Sequence, residues 1–295
     1  MLSFKAPAME DQQWVSDILR HAGVRSCELC FGNLYIWSVV YDNSITKFKE
    51  FFIGKNNYTD FNSYTVPIGS GNFEEALCEL IEDAQGAQKA CRLHGVTDSD
   101  IERIEKMMPG KFEFRLDRNN CDYIYSAEKM ITLSGKKYHS KRNHITNFKK
   151  QNPDWCFEKI DADNILECVA MHEKWIAENG ESDDYLSELK VVKRAFDNYQ
   201  ALGFIGGLIR TQGQVIAYTF GETLGNGIFC THIEKAFSSI RGAYPIMNQE
   251  FSANCLKEYT LINREEDLGI EGLRRAKLSY NPVELLNKSV AIYRG

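Results

Sequence analysis

Three consecutive segments in the second half of the chain, 204–210 (FIGGLIR), 214–222 (QVIAYTFGE) and 227–235 (GIFCTHIEK), restrict the possible folds more than any other feature. Each is rich in β-branched and aromatic residues, as strands are. The turns TQGQ and LGNG between them are short and contain glycine, so neighbouring segments fold back as hairpins. An antiparallel meander follows. Two helices, over 163–179 and 184–202, precede it. After it come a loop (236–243, AFSSIRGA), a helix (244–257), a strand (259–263), a helix (270–279) and a last strand (289–294).

The first half repeats this order more faintly. A helix over 10–22 ends at Gly23, and strands are expected at 34–41 and 48–53. PIGSGN (67–72) opens a helix with Phe73, Leu77, Leu80, Ile81 and Ala84 on one face. A strand (89–94), a helix (98–108), strands at 111–116 and 121–126, and a helix over 136–150 complete it. The turn Asn152-Pro153 marks the expected boundary, which divides the chain into 1–150 and 151–295. The fold class expected is α/β (α+β), with mixed, mainly antiparallel sheets flanked by helices. The element order in each half resembles the acetyltransferase-like (GNAT) fold, so a tandem duplication is expected. The second copy is expected to be catalytic and the first degenerate.

A chain of 295 residues has room for two such domains, and 43% hydrophobic with 26% charged residues reads as globular. The net charge of −6 weighs against nonspecific nucleic-acid binding. Nine cysteines, an odd number scattered through apolar stretches, read as reduced thiols rather than a disulfide framework. The N-terminal MLSFKAPAMEDQQ has no apolar core of a signal peptide, and nowhere do about 18 apolar residues run together. A cytoplasmic location is expected.

Two runs carry a family resemblance. DYIYSAEKMITLSGKKYHSKRNHITNFKK (122–150) and INREEDLGIEGLRRAKLSYNP (262–282) resemble motifs of a bacterial family grouped with the C-terminal domain of phosphatidylglycerol lysyltransferases. That resemblance implies tandem acetyltransferase-like domains, a fold shared with the Fem peptidyltransferases. It also implies transfer of an aminoacyl group from aminoacyl-tRNA to a lipid headgroup. Gly272, Leu273, Lys277 and Pro282 are similar to the lysyltransferase pattern around a functional lysine.

Candidate residues follow from the chemistry of transfer, which needs a base, a polarised carbonyl and a protonated leaving group. Glu265 and Asp267, in the acidic run after strand 259–263, are candidate bases, although an acidic helix cap explains them equally well. Lys277 and Tyr280 lie three apart and share a helix face. The acetyltransferase resemblance implies that Tyr280, near where that fold keeps a tyrosine, protonates the leaving group and that Lys277 holds a phosphate or ester oxygen; a core aromatic with a wet hydroxyl explains Tyr280 at least as well. Arg241, Gly242, Ala243 and Tyr244 stand at a helix start, where free N–H groups and the dipole favour the pyrophosphate of coenzyme A. His232 and Glu234 point to one side of their strand and are candidates for acceptor binding. Lys141, Arg142 and Asn143 belong to the basic run 136–150, a surface for tRNA phosphates or lipid headgroups. No metal site is expected: Cys27 and Cys30 have zinc-like spacing but no second pair.

The function expected is acyl or aminoacyl transfer from an activated donor to an amine or hydroxyl acceptor. A coenzyme A thioester is slightly preferred over aminoacyl-tRNA as donor, because of the acidic charge. The acceptor is a small molecule or a lipid headgroup. The alternatives are a ligand-binding module without turnover and a headgroup-modifying protein acting with a membrane partner.

Overall fold

The computed structural model describes residues 2–295. Its strands are β1 (Asn43–Phe48), β2 (Phe51–Asn57), β3 (Phe61–Thr65), β4 (Ile68–Gly69), β5 (Ala90–Val96), β6 (Phe112–Leu116) and β7 (Asp122–Ser126). They continue with β8 (Cys156–Lys159), β9 (Ile205–Thr211), β10 (Gln214–Gly225), β11 (Ile228–Ala236), β12 (Leu261–Asn263), β13 (Glu284–Leu286) and β14 (Ser289–Tyr293). Two seven-stranded sheets result. One runs β1-β2-β3-β5-β14-β6, with β4 beside β2; the other runs β8-β9-β10-β11-β12-β7-β13.

The two sheets share one plan. Each begins with an antiparallel meander, β1-β2-β3 or β8-β9-β10-β11. A crossover helix, Phe73–Gly86 or Ala243–Cys255, then returns the chain parallel to the last meander strand, as β5 beside β3 and β12 beside β11. A second helix, Asp98–Met107 or Glu271–Leu278, precedes the closing strands. Those closing strands are exchanged. The place beside β5 is taken by β14, from the C-terminus, and the place beside β12 by β7, from the first half. The expected break at 150–155 therefore does not coincide with the division between the sheets.

The meander forms as its composition requires. Buried residues run almost unbroken along β10 because helices Ile165–Asn179 and Ala243–Cys255 both pack against it. Two expectations in the first half are corrected. Residues 34–41 are not a strand: Phe31–Trp37 is a helix, whose leading N–H groups on Gly32 and Asn33 donate to the Glu222 carboxylate. A cap supplied from 190 residues away leaves no local signal. The strand expected at 48–53 is two strands, split by a tight turn at Lys49 (φ 52°).

Candidate active site at the β11–β12 wedge

Strands β11 and β12 pair only over Ile228–Cys230 and Leu261–Asn263. Beyond Cys230 the β12-facing edge of β11 has no strand partner, and side chains fill the gap. The Arg264 guanidinium donates to both oxygens of Glu234, at 3.0 and 2.8 Å. Asn248, from the crossover helix, donates to the same carboxylate at 2.8 Å. Arg264 lies 5.0 Å from the Tyr280 ring, and the Lys141 ammonium stands 3.9 Å over that ring. The hydroxyl of Tyr138 donates to the Tyr280 carbonyl at 3.0 Å and fixes its backbone.

Two donors in this wedge are buried without a partner among the described residues: the Tyr280 hydroxyl and Nη1 of Arg264. Buried polar groups are otherwise nearly always hydrogen-bonded, so both have capacity for an oxygen from a ligand. Burial holds the Tyr280 phenol well above its ordinary pKa, which keeps it a donor. Burial pushes the Lys141 ammonium down to about 8, with the Arg264 charge adding to the effect.

A second polar cluster lies where the halves meet. His232 is held between two carboxylates, with Nε2 3.0 Å from Glu222 and Nδ1 2.8 Å from Glu265. Cys30 Sγ lies 3.9 Å from Nε2. Next to this group, Asp122 at the start of β7 pairs with Lys288, just before β14, at 2.7 Å. The Cys27 thiol donates to Asp122 and to Glu266, each at 3.2 Å. Burial, then the charge of Glu265, pushes the Glu266 carboxyl up to about 7.

The candidate residues separate into these places. Tyr280, Glu234 and Lys141 meet in the wedge. His232 and Glu265 meet in the junction. The expectation that His232 and Glu234 share one side of β11 is corrected: the strand bulges at His232, with Thr231 paired to Gly221 and Ile233 to Phe220, so alternation breaks and the two side chains face opposite sides of the sheet. Asp267 is fully buried and committed to Arg274 (2.7 Å), Arg118 (3.1 Å) and the Tyr123 hydroxyl (2.5 Å). Despite its burial, those partners hold its carboxyl far below the usual range, so it is an anchor rather than a base. Lys277 donates to the carbonyls of Arg264 and Glu266 and shapes the turn that carries them. Arg142 donates to the carbonyls of Leu133 and Gly135, and the exposed Asn143 reaches only His139. Sequence reasoning missed Arg264 and Glu222, each of which acts through partners remote in the chain.

The loop at 241–244 is tied into the fold. The N–H of Ala243 donates to the Ile240 carbonyl at 3.1 Å. Arg241 is exposed, and burial raises the half-buried Tyr244 phenol to about 12. Gly242 has φ 94°, and a Cβ there would sit 2.7 Å from the His144 carbonyl oxygen and 2.9 Å from Phe148 Cβ. Its missing side chain admits helix His139–Gln151. Gly242→Ala is therefore expected to lower stability by about 1–3 kcal/mol, measured by denaturant unfolding. Wild-type stability would show that the glycine serves something other than this packing.

These features define a tandem acetyltransferase-like protein with a polar wedge between the two parallel strands of its second half. The chain belongs to the phosphatidylglycerol lysyltransferase C-terminal family, whose model matches residues 20–292. It is similar over its whole length to a conserved protein of unknown function from Bacteroides thetaiotaomicron, with 36% identity, 100% of both chains covered and a TM-score of 0.95. L-PGS from Bacillus licheniformis shares the fold at 16% identity, with 98% of this chain and 93% of that one covered and a TM-score of 0.68. FemX shares it at 8% identity, with 98% and 97% covered and a TM-score of 0.62. No helix among the described residues is long and apolar enough to cross a membrane.

Proposed function

We propose that the protein is an acyltransferase that moves an aminoacyl group from an aminoacyl ester to a hydroxyl or amine, with a lipid headgroup as the favoured acceptor. The observation that carries this reading is the pair of buried, partnerless donors, Tyr280 Oη and Arg264 Nη1, in the wedge. Such donors stabilise the oxyanion of an acyl-transfer transition state. Tyr280 then returns a proton to the departing oxygen. Glu234 positions Arg264, and Lys141, shifted toward neutrality, is the group suited to take the acceptor's proton.

The preference between donors turns on space. A coenzyme A thioester needs an open strand wedge for its pantetheine arm and free N–H groups at the helix start. Here Arg264 and Glu234 fill the wedge, and helix His139–Gln151 abuts Gly242. An aminoacyl ester needs neither, so the slight preference for coenzyme A drawn from charge is reversed. The family supports the same choice, since its description is that of a lysyltransferase.

The test offers the purified chain aminoacyl-tRNAs carrying labelled amino acids, with phospholipid vesicles or soluble amines as acceptors, and in parallel a panel of acyl-CoAs. Label should pass from tRNA to an acceptor, and calorimetry with coenzyme A should show no binding. Turnover of an acyl-CoA would overturn the donor. Turnover of neither would leave a binding module and sink the transferase reading.

A further inference from the structure

We propose that Cys30, Glu222 and His232 form a binding site for a divalent transition-metal ion, zinc being the ion that the donors fit best. His232 Nε2 lies 3.9 Å from Cys30 Sγ and 3.0 Å from Glu222 Oε1. All three ligand atoms fall within 4.8 Å of one another. Tetrahedral zinc, with bonds of roughly 2.0–2.3 Å, holds its donors roughly 3.3–3.8 Å apart. Closing these three on an ion needs only small movements. Thiolate, imidazole and carboxylate together are a zinc-type set, unlike the all-oxygen sets of magnesium and calcium.

The scaffold holds the three donors in place independently. Glu222 stands opposite Cys230 in the β10–β11 ladder, and His232 follows on the same face of β11. The Gly32 and Asn33 N–H groups, just after Cys30, donate to Glu222. Glu265 accepts from Nδ1 of His232 at 2.8 Å, the outer carboxylate that orients a metal-bound imidazole and raises its basicity. A cleft of about 220 Å³, lined in part by Cys30, Phe31, Leu202 and Glu222, gives an entry path and leaves room for water as a fourth ligand.

The test reads no transfer activity, so its outcome is separate from that of the transferase reading. Chain purified without chelator is assayed for metal by mass spectrometry, then stripped and titrated with Co²⁺. Stoichiometric uptake is expected, with tetrahedral d–d bands and a thiolate charge-transfer band. Cys30→Ser should abolish the charge-transfer band. Glu265→Gln should keep it and weaken affinity about 10- to 100-fold. Cys91→Ser, a buried thiol of the first sheet, should change neither. Wild-type chain that takes up no stoichiometric cobalt, or a charge-transfer band that survives Cys30→Ser, would overturn the assignment.

Discussion

Replacing Lys288 with methionine is expected to destabilise the protein by about 3–5 kcal/mol, the range for removing one partner of a buried ion pair. Lys288 is 3% exposed and Asp122 fully buried. The ammonium donates to Asp122 at 2.7 Å and also to Glu28, and it lies 3.4 Å from the Cys27 sulfur. Burial opposes its charge, but Asp122, Cys27 and Glu28 outweigh burial and hold its pKa well above the ordinary lysine value. Methionine fills similar volume and leaves Asp122 charged in a dry interior, facing Glu28 and Glu266. The position matters as much as the pair. Asp122 opens β7 and Lys288 precedes β14, the two strands exchanged between sheets, so this contact ties both halves together. Domains commonly have only about 5–15 kcal/mol in total. Urea unfolding of the single variants and of Lys288→Met with Asp122→Asn closes a double-mutant cycle. The double variant should lose less than the sum of the singles, because it buries no unpaired charge. Singles within about 1 kcal/mol of wild type would show that the pair is not desolvated.

The second half was legible because its signals are local. Hairpin turns fix β9, β10 and β11 within a few residues, and the helices around them follow from apolar periodicity. His172, on an apolar helix face, is a core histidine whose Nδ1 meets the Tyr218 hydroxyl. The exchange of β7 and β14 was not legible, since no turn or period records which sheet a closing strand joins. The helix at Phe31–Trp37 was hidden for a related reason: its cap is Glu222, brought close only by the fold. The sites divide in the same way. Tyr280 and Lys141 could be named from motif, whereas Glu234 was named by an alternation with His232 that the β-bulge at His232 breaks. Their convergence depends on Arg264, which looks in sequence like one more surface charge beside an acidic run. Asp267 shows the converse, a residue in the expected place whose capacity is taken up by Arg118, Arg274 and Tyr123. Cys27 and Cys30 showed zinc-like spacing, but the donors that join Cys30 lie about two hundred residues further along the chain.

Tyr280→Phe should lower transfer about 10²- to 10³-fold, as loss of an oxyanion donor or a general acid does. Stability should be unchanged, or higher by up to about 1 kcal/mol. The two effects separate because the hydroxyl is buried and makes no hydrogen bond in the fold. That oxygen has no protein partner, so removing it strands no other group, whereas removing a bonded hydroxyl would leave its partner unsatisfied. The ring, which packs beneath Lys141 and beside Arg264, stays in the variant. The Tyr138 bond to the backbone carbonyl of residue 280 is likewise untouched. A tyrosine serving only the core would keep full turnover in the phenylalanine variant. Turnover with the aminoacyl donor and thermal unfolding, measured on the same preparation, therefore decide its role. Wild-type turnover in Tyr280→Phe would remove the wedge as the place of transfer. A loss confined to KM would assign the hydroxyl to ground-state binding rather than to the transition state.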